Sequence, residues 1–267
     1  MNGPLNISVI QADLVWENVE ANLAHFEKKL AALPGKPEVV VLPEMFSTGF
    51  SMRPAALAES MQGRTVSWMR DMAARFRVIL TGSVMIREER EEQVSYFNRM
   101  IWMLPTGDLG YYDKRHRFAY AGEDKEYTAG TRRLIASVKG WKLNLLICYD
   151  LRFPVWARQQ LKDGQPEYDV LVYVANWPEK RAHAWKTLLQ ARAIENQCYV
   201  VGVNRVGTDG NDITYTGDSM IIGPLGEILY TKREVEDIAT VTLDPQVLMD
   251  ARQRFPFWKD ADGFVIG

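Results

Sequence analysis

Cysteine and histidine are both scarce in this chain of 267 residues. The two cysteines, Cys148 and Cys198, are too few for a disulfide framework, and a reducing compartment would keep both thiols free. The three histidines, His25, His116 and His183, form no HxxxH or HExxH pair, and no CxxC pair is present. Because the sequence offers no local signature of a metal site, we expect the protein to need neither a metal nor another cofactor.

Long apolar runs and a strong net charge are also missing. No stretch approaches the ~20 apolar residues needed to span a bilayer, and residues 1–14 show no basic segment followed by a long apolar one. The formal net charge is -2, and the short basic clusters are mixed with acids, which favours neither nucleic acid nor an anionic membrane as a partner. We therefore expect a cytoplasmic protein that acts on a small molecule.

What the chain does contain favours a single α/β domain over residues 1–267. Hydrophobic residues make up 47% of the chain, which is enough for a large core, and no linker divides it. Short apolar runs that predict strands alternate with amphipathic helices, and this alternation is typical of α/β proteins. Strands are predicted at 7–10, 39–42, 78–86, 100–104, 169–174, 199–203, 220–222, 228–230 and 238–243, and helices at 19–33, 65–76 and 182–196, with another beginning near 153–154.

Three side chains with reactive chemistry follow predicted strands at the point where each strand ends. Glu44 lies just beyond the run 39–42, Lys114 follows a short segment after a turn, and Cys148 ends the apolar run 145–147. Sites in α/β sheets form at the carboxyl ends of strands. We therefore expect the carboxylate, the ammonium and the thiol to belong to one site.

Such a trio could perform acyl transfer. A free thiol has a reference pKa of ~8.5; an adjacent cation lowers that pKa, and an adjacent carboxylate can remove the proton. Lys114 could stabilise the thiolate of Cys148 and later an oxyanion. Glu44 could take the thiol proton and pass it to a leaving amine, which must be protonated to leave. The pattern predicts amide cleavage through a thioester.

These residues also allow other interpretations. A cysteine that ends an apolar strand is often only a small buried hydrophobe, a glutamate after a strand is often a cap, and a lysine in a charged patch is often at the surface. A papain-like enzyme is a further alternative, since His116 could share one side of a strand with Lys114. A scaffold protein that keeps the fold without the reaction is the non-enzymatic alternative.

The segments around these residues resemble the carbon–nitrogen hydrolase family, the nitrilase superfamily. The resemblance rests on LPEMF around Glu44, YDKRH around Lys114 and ICYDLRFP around Cys148, and it extends over nearly the whole chain. It implies that Glu44 is the general base, that Lys114 stabilises the oxyanion and that Cys148 is the nucleophile. The backbone N–H of Tyr149 would be the second oxyanion donor.

The family also carries a second glutamate between the lysine and the cysteine, which orients the lysine and the substrate amide. Glu123 is the best match to this residue, and Glu126 is the competing candidate.

The same resemblance implies a four-layer αββα sandwich, in which two sheets pack face to face and helices cover the outside. It also implies a homodimer. By that analogy, the helix after Cys148 and the helix at 182–196 form the interface, and the aromatic tail at 255–258 reaches across it.

Within the family, the likeness is closest to the ω-amidase branch, whose members hydrolyse the terminal amide of α-ketoglutaramate and α-ketosuccinamate. Such a substrate carries a carboxylate at its far end, so the pocket should contain a cation. The candidates for substrate binding are Arg152 and Arg205 for the carboxylate, Asn176 and Trp177 for the pocket lining, Phe50 for an apolar wall, and Tyr149.

Two of these candidates have structural alternatives. Arg152 could form an ion pair with a nearby acid such as Asp150, and Trp177 could belong to the core. The activity also has alternatives within the family, because the motifs do not separate amide from nitrile substrates. These are an aliphatic amidase, a nitrilase, an N-carbamoyl amino-acid amidohydrolase and a β-ureidopropionase-like enzyme.

Overall fold

The computed structural model describes residues 3–91 and 93–265, which form two mixed β-sheets with helices outside them. The strands are β1 (Leu5–Gln11), β2 (Val39–Val41), β3 (Ile79–Arg90), β4 (Gln93–Met103), β5 (Leu109–Asp113), β6 (Leu134–Val138), β7 (Trp141–Ile147), β8 (Leu161–Lys162), β9 (Gln165–Pro166), β10 (Val170–Val174), β11 (Tyr199–Val203), β12 (Val206–Thr208), β13 (Thr214–Ile222), β14 (Ile228–Arg233) and β15 (Asp237–Leu243). The helices are α1 (Val19–Ala31), α2 (Pro54–Leu57), α3 (Arg64–Phe76), α4 (Glu123–Glu126), α5 (Pro154–Ala157), α6 (Ala182–Asn196) and α7 (Pro245–Arg254).

Each sheet has parallel strands at its centre and antiparallel strands toward its edges. The first sheet has the order β15-β1-β2-β3-β4-β5, in which β1, β2 and β3 are parallel. The second has the order β12-β13-β11-β10-β7-β6, with β14 paired to β13, and its parallel strands are β7, β10 and β11. A small hairpin of β8 and β9 lies outside both sheets. Parallel centres place several strand carboxyl ends at one edge of each sheet, where a site can form.

The two sheets pack face to face, as the alternation along β2 shows. Val39 and Val41 belong to the core between the sheets, together with Leu143 and Leu145 of β7. Val40 points to the opposite face and packs in a second core against α1 and α3. Because both faces of this strand are covered, all three of its valines are fully buried.

Helices complete the outer layers. On the first sheet, α1 and α3 contribute Leu23, Phe26 and Met69 to the second core. On the second sheet, α6 packs Trp185 and Leu189 against the strands. The result is the α/β fold with four layers, αββα, that the resemblance implied.

All the predicted strands and helices are present. The ends of α6 and β11 are as predicted, whereas the ends of most others differ. The strand predicted at 100–104 is the second half of β4, which forms a long hairpin with β3, and the strand predicted at 220–222 begins six residues earlier in β13. The helix predicted near 153–154 is the four-residue α5, because a 3-10 turn at Cys148–Arg152 precedes it. The pattern did not predict α7, whose N-terminus is capped by the side chain of Asp244.

In the part of the chain that the structure describes, no helix is long and apolar enough to cross a membrane.

Candidate active site

The predicted trio comes from the carboxyl ends of strands in both sheets. In the first sheet, Glu44 lies three residues beyond β2, and Lys114 directly follows β5. In the second sheet, Cys148 directly follows β7, and Asn176 lies two residues beyond β10. These strand ends face each other across the sandwich, so the four side chains meet at one place.

A buried cluster of opposite charges forms the centre of the site. The Lys114 Nζ lies 2.9 Å from Glu44 Oε1, and 3.0 and 2.9 Å from the two carboxylate oxygens of Glu123. All three side chains are almost completely buried. Burial alone would lower the pKa of Lys114, but the carboxylates of Glu123 and Glu44 outweigh it and raise that pKa above its usual range. Lys114 is therefore a permanent cation.

Glu123, and not Glu126, is the glutamate that contacts the lysine. Glu123 opens the short helix α4 and also accepts the backbone N–H of Phe118 at 2.5 Å. Burial raises its pKa, while Lys114 acts in the opposite direction. Glu126 lies at the other end of the same turn and is exposed.

The Cys148 sulfur is buried beside this cluster, and its state differs from the one expected. Burial, the charge of Glu44 and a hydrogen bond with Glu44 raise the pKa of the thiol, and Lys114 only partly offsets them. Lys114 does act to lower this pKa, as expected, but burial and Glu44 outweigh it, so the pKa of the thiol lies above its usual range. The resting group is a thiol whose nearest base is Glu44.

The backbone at Cys148 has a conformation that few residues adopt. Its φ is 43°, in the left-handed region, at the point where β7 breaks into the 3-10 turn. A non-glycine residue with positive φ is strained, and such strain is concentrated at functional sites. The Cys148 Sγ lies 3.9 Å from the carbonyl oxygen of Asn176.

Two asparagines hold the general-base candidate. The Asn98 Nδ2 donates to Glu44 Oε1 at 2.8 Å and to Glu123 Oε1 at 3.2 Å, so one amide connects the two carboxylates. Asn176 donates its backbone N–H to Glu44 Oε2 at 2.8 Å. Asn98 was not predicted from the sequence. The sequence feature that could have indicated Asn98 is a single amide side chain in the apolar half of β4.

The site opens into a cavity of about 550 Å³. Seven predicted site residues line it, namely Phe50, Lys114, Cys148, Tyr149, Arg152, Asn176 and Trp177. Lining residues that were not predicted include Trp16, Glu17, Arg53, Phe118, Arg181, Asp209 and Tyr215. Phe50 forms an aromatic wall whose ring lies 5.1 Å from Lys114 Nζ.

The arginine candidates differ in position. Arg152 is exposed at the cavity, with its guanidinium 4.9 Å from the centre of the Trp177 ring. Arg181 lies over the Phe118 ring at 5.2 Å in the same cavity. Neither guanidinium forms an ion pair or a hydrogen bond with any residue in 3–91 or 93–265. The expected partner of Arg152, Asp150, is bound to other groups.

Arg205 does not line the cavity. Its fully buried guanidinium donates to Asp13 Oδ1 at 2.8 Å and to the carbonyl oxygens of Leu14 and Val206. These bonds hold the chain between β1 and β12. Arg205 therefore forms a structural ion pair and does not bind substrate as predicted. Its position in the sequence alone did not reveal this ion pair.

The papain-like alternative is not supported by the geometry. His116 Nδ1 lies 2.8 Å from Asp150 Oδ1, and its ring stacks on Phe153 with 3.8 Å between centroids. His116 does not line the cavity that contains Cys148. Glu44 is the base beside the sulfur.

Comparisons with known proteins show which proteins this chain is similar to. A model of the carbon–nitrogen hydrolase family matches residues 6–253. The chain is 44% identical over 264 residues to omega-amidase YafV of Escherichia coli K12, covering 97% of this chain and 98% of that one. It is 32% identical over 257 residues to 2-oxoglutaramate amidase of Bacillus subtilis, covering 95% and 96%.

A solved structure is also similar over nearly the full length. XC1258 from Xanthomonas campestris is described as a CN-hydrolase superfamily protein with an arsenic adduct in the active site. It superposes with a TM-score of 0.96 at 45% identity, covering 99% of both chains. The present chain therefore belongs to the carbon–nitrogen hydrolase family.

Proposed function

We propose that this enzyme, an amide-hydrolysing member of the family, cleaves the terminal amide of a small ω-amido keto dicarboxylate such as α-ketoglutaramate, releasing the acid and ammonia. The relatives named omega-amidase and 2-oxoglutaramate amidase, both similar over nearly the full chain, support this substrate class. The observation that carries the mechanism is the buried contact of Lys114 with Glu44 and Glu123 beside the Cys148 thiol.

The first half of the reaction forms a thioester. Glu44 takes the proton of the Cys148 thiol as the sulfur attacks the amide carbon, and the carbonyl becomes an oxyanion. Lys114 and the backbone N–H of Tyr149 stabilise that charge. Glu44 then passes its proton to the nitrogen, the C–N bond breaks, and ammonia leaves.

The second half returns the enzyme to its starting state. Glu44 takes a proton from water, whose oxygen attacks the thioester carbon. The C–S bond then breaks, and the proton returns to the Cys148 sulfur. Glu123 keeps Lys114 oriented and charged through both halves. One residue can serve as base and acid in turn because the proton that it takes from the thiol or from water is the proton that it then donates.

Arg152 and Arg181 would bind the carboxylate at the far end of the substrate. Both line the cavity, and neither has an acidic partner among the described residues. Trp177 supports both of them: its face lies under Arg152, and its Nε1 donates to the carbonyl oxygen of Arg181 at 2.8 Å. Charge-assisted contacts from arginine suit a planar carboxylate.

The experiment that tests this function measures ammonia release from α-ketoglutaramate, succinamate, glutamine and a simple nitrile. Wild type is compared with Cys148→Ala and, as the matched control, with Cys198→Ala, which removes the other buried thiol. We expect rapid release from the keto-acid amide, lost in Cys148→Ala and kept in Cys198→Ala. Release only from another amide or the nitrile would change the substrate, activity in Cys148→Ala would refute the mechanism, and no turnover of any compound would favour a scaffold.

We further propose that the chain acts as one catalytic domain in a cytoplasmic homodimer that binds no nucleic acid. The dimer interface would contain α5 and α6, where Val155 and Ile194 are about half exposed, and the tail with Phe257, which is also exposed. Apolar side chains on neighbouring surfaces favour such a contact. Light scattering of wild type and of Ile194→Glu would test the dimer, with a shift to monomer expected in the variant.

A further inference from the structure

The reacting groups stand on two separate sheets, so the contacts that connect the sheets determine their spacing. Glu44 and Lys114 follow strands of the first sheet, whereas Cys148 follows β7 of the second. Reacting atoms must be placed to within a few tenths of an ångström for efficient attack. Apolar packing between sheets is not directional and does not fix a distance so closely.

A hydrogen bond crosses between the sheets beside the site. The Tyr112 hydroxyl, on β5, donates to Asp150 Oδ2 at 2.8 Å. Tyr112 lies two residues before Lys114, and Asp150 lies two residues after Cys148. Both partners are buried. The bond therefore joins the segment that carries the cation to the segment that carries the sulfur.

Asp150 also fixes the strained turn at Cys148. Its Oδ2 accepts the backbone N–H of Ile147 at 3.0 Å, so the carboxylate closes a ring around the cysteine. Its Oδ1 accepts the backbone N–H of His116 at 3.0 Å and contacts His116 Nδ1 at 2.8 Å. A buried carboxylate with this set of directional partners holds one orientation.

The position of the Tyr112 hydroxyl is fixed as well. Its oxygen accepts the Nε1–H of Trp156 at 2.9 Å and the backbone N–H of Arg115 at 3.2 Å. Burial and the charge of Asp150 raise the pKa of Tyr112 well above its usual range, so the hydroxyl remains a donor. No step of the reaction described above uses any of these groups.

We propose that Tyr112 and Asp150 are positioning residues, whose hydrogen bond between the sheets sets the Cys148 sulfur against Lys114 and Glu44. The inference rests on the proposed role of Cys148 as nucleophile. It predicts that loss of the bond lowers the rate of attack more than it weakens substrate binding, since neither residue lines the cavity.

The test compares Tyr112→Phe with Tyr199→Phe. Each change removes one tyrosine hydroxyl. The Tyr112 hydroxyl takes part in three hydrogen bonds, whereas the Tyr199 hydroxyl makes one, to the carbonyl oxygen of Asp244, far from the site in sequence and outside the cavity. We expect kcat to fall about 10- to 100-fold in Tyr112→Phe, with KM changed by less than about threefold. Tyr199→Phe should keep the kcat of wild type, although both variants lose some thermal stability.

A double-mutant cycle with Asp150→Asn separates positioning from general damage. If the two residues act through one bond, Tyr112→Phe in the Asp150→Asn background should have a much smaller effect than in wild type. Independent losses, or a kcat in Tyr112→Phe equal to that of Tyr199→Phe, would overturn the inference. Activity in Cys148→Ala would instead refute the proposed function, so the two failures are distinguishable.

Discussion

Asn176 and Glu44 are joined by two hydrogen bonds across the interface of the two sheets. The Asn176 backbone N–H donates to Glu44 Oε2 at 2.8 Å, and its Nδ2 donates to the Glu44 carbonyl oxygen at 2.6 Å. The base candidate is thus held at its backbone and at its side chain by a residue from the opposite sheet. The Oε1 oxygen is meanwhile occupied by Lys114 and Asn98. Such a carboxylate has little freedom to turn away from the sulfur.

Replacing Glu44 by Gln should have opposite effects on two reactions of Cys148. Burial and Glu44 hold the pKa of the thiol above its usual range, so alkylation of the wild type by iodoacetamide should be slow at pH 7 and rise with pH. Glu44→Gln removes the negative charge and leaves Lys114 nearby. The thiol pKa should fall, and alkylation at pH 8 should accelerate while amide hydrolysis is lost.

Mass spectrometry of the alkylated peptide measures this reactivity, in a Cys198→Ala background so that only one thiol is present. Glu17→Gln is the control, because Glu17 also lines the cavity but pairs with Arg53. Alkylation of Glu44→Gln at or below the wild-type rate would show that Glu44 does not raise the thiol pKa.

The two neighbouring glutamates of α4 provide a matched pair. Glu123→Gln removes one of the two carboxylates that contact Lys114, so the lysine loses an orienting partner and its pKa should fall. We expect kcat to fall about 10²- to 10³-fold, as for other groups that stabilise charge in a transition state. Glu126→Gln changes an exposed residue and should leave kcat at the wild-type level. Equal activity of the two variants would reject Glu123 as part of the site.

A charged and an uncharged substrate together test whether Arg152 and Arg181 bind the substrate carboxylate. Arg152→Met and Arg181→Met should each raise KM for α-ketoglutaramate about tenfold or more, since a hydrogen bond to a charged group contributes about 1.5–3 kcal/mol. Hydrolysis of propionamide, which has no carboxylate, should be unchanged. Steady-state kinetics on both substrates measure the difference, and an equal loss on both would assign these arginines to the fold.

Arg205→Met serves as the contrasting variant. It removes the buried partner of Asp13 and of two carbonyl oxygens, so the free energy of unfolding should fall by about 1–3 kcal/mol. KM for α-ketoglutaramate should stay unchanged. Urea unfolding and kinetics on the same preparation check both parts, and a raised KM at wild-type stability would return Arg205 to the binding site.

The segments that carry chemistry were predictable because their signals are local. A buried valine run before Pro43 places Glu44 at a strand end, and an apolar run before a polar turn does the same for Cys148. The strand ends in the structure follow these signals closely. The lengths of the strands were less predictable, as the hairpin of β3 and β4 shows. Its outer half extends beyond the core, where hydrogen bonds between the two strands stabilise it in place of burial.

The choice among candidates depended on contacts between distant segments. Glu123 and Glu126 differ by one turn of a short helix, and only the packing of α4 against Lys114 separates them. Asn98 reaches Glu44 from 54 residues away. The raised pKa of the Cys148 thiol likewise follows from burial and from charges delivered by other strands.

The sequence by itself determined the residue types and the strand ends that carry them, because hydrophobic runs, prolines and turns act over a few neighbouring residues. It also determined the family, through motifs in a fixed order. Only the tertiary structure decided which arginine faces the cavity and which is buried with Asp13. It also decided that two carboxylates pair with the charged Lys114. Electrostatic interactions depend on distance and burial, and these are set by how the two sheets pack.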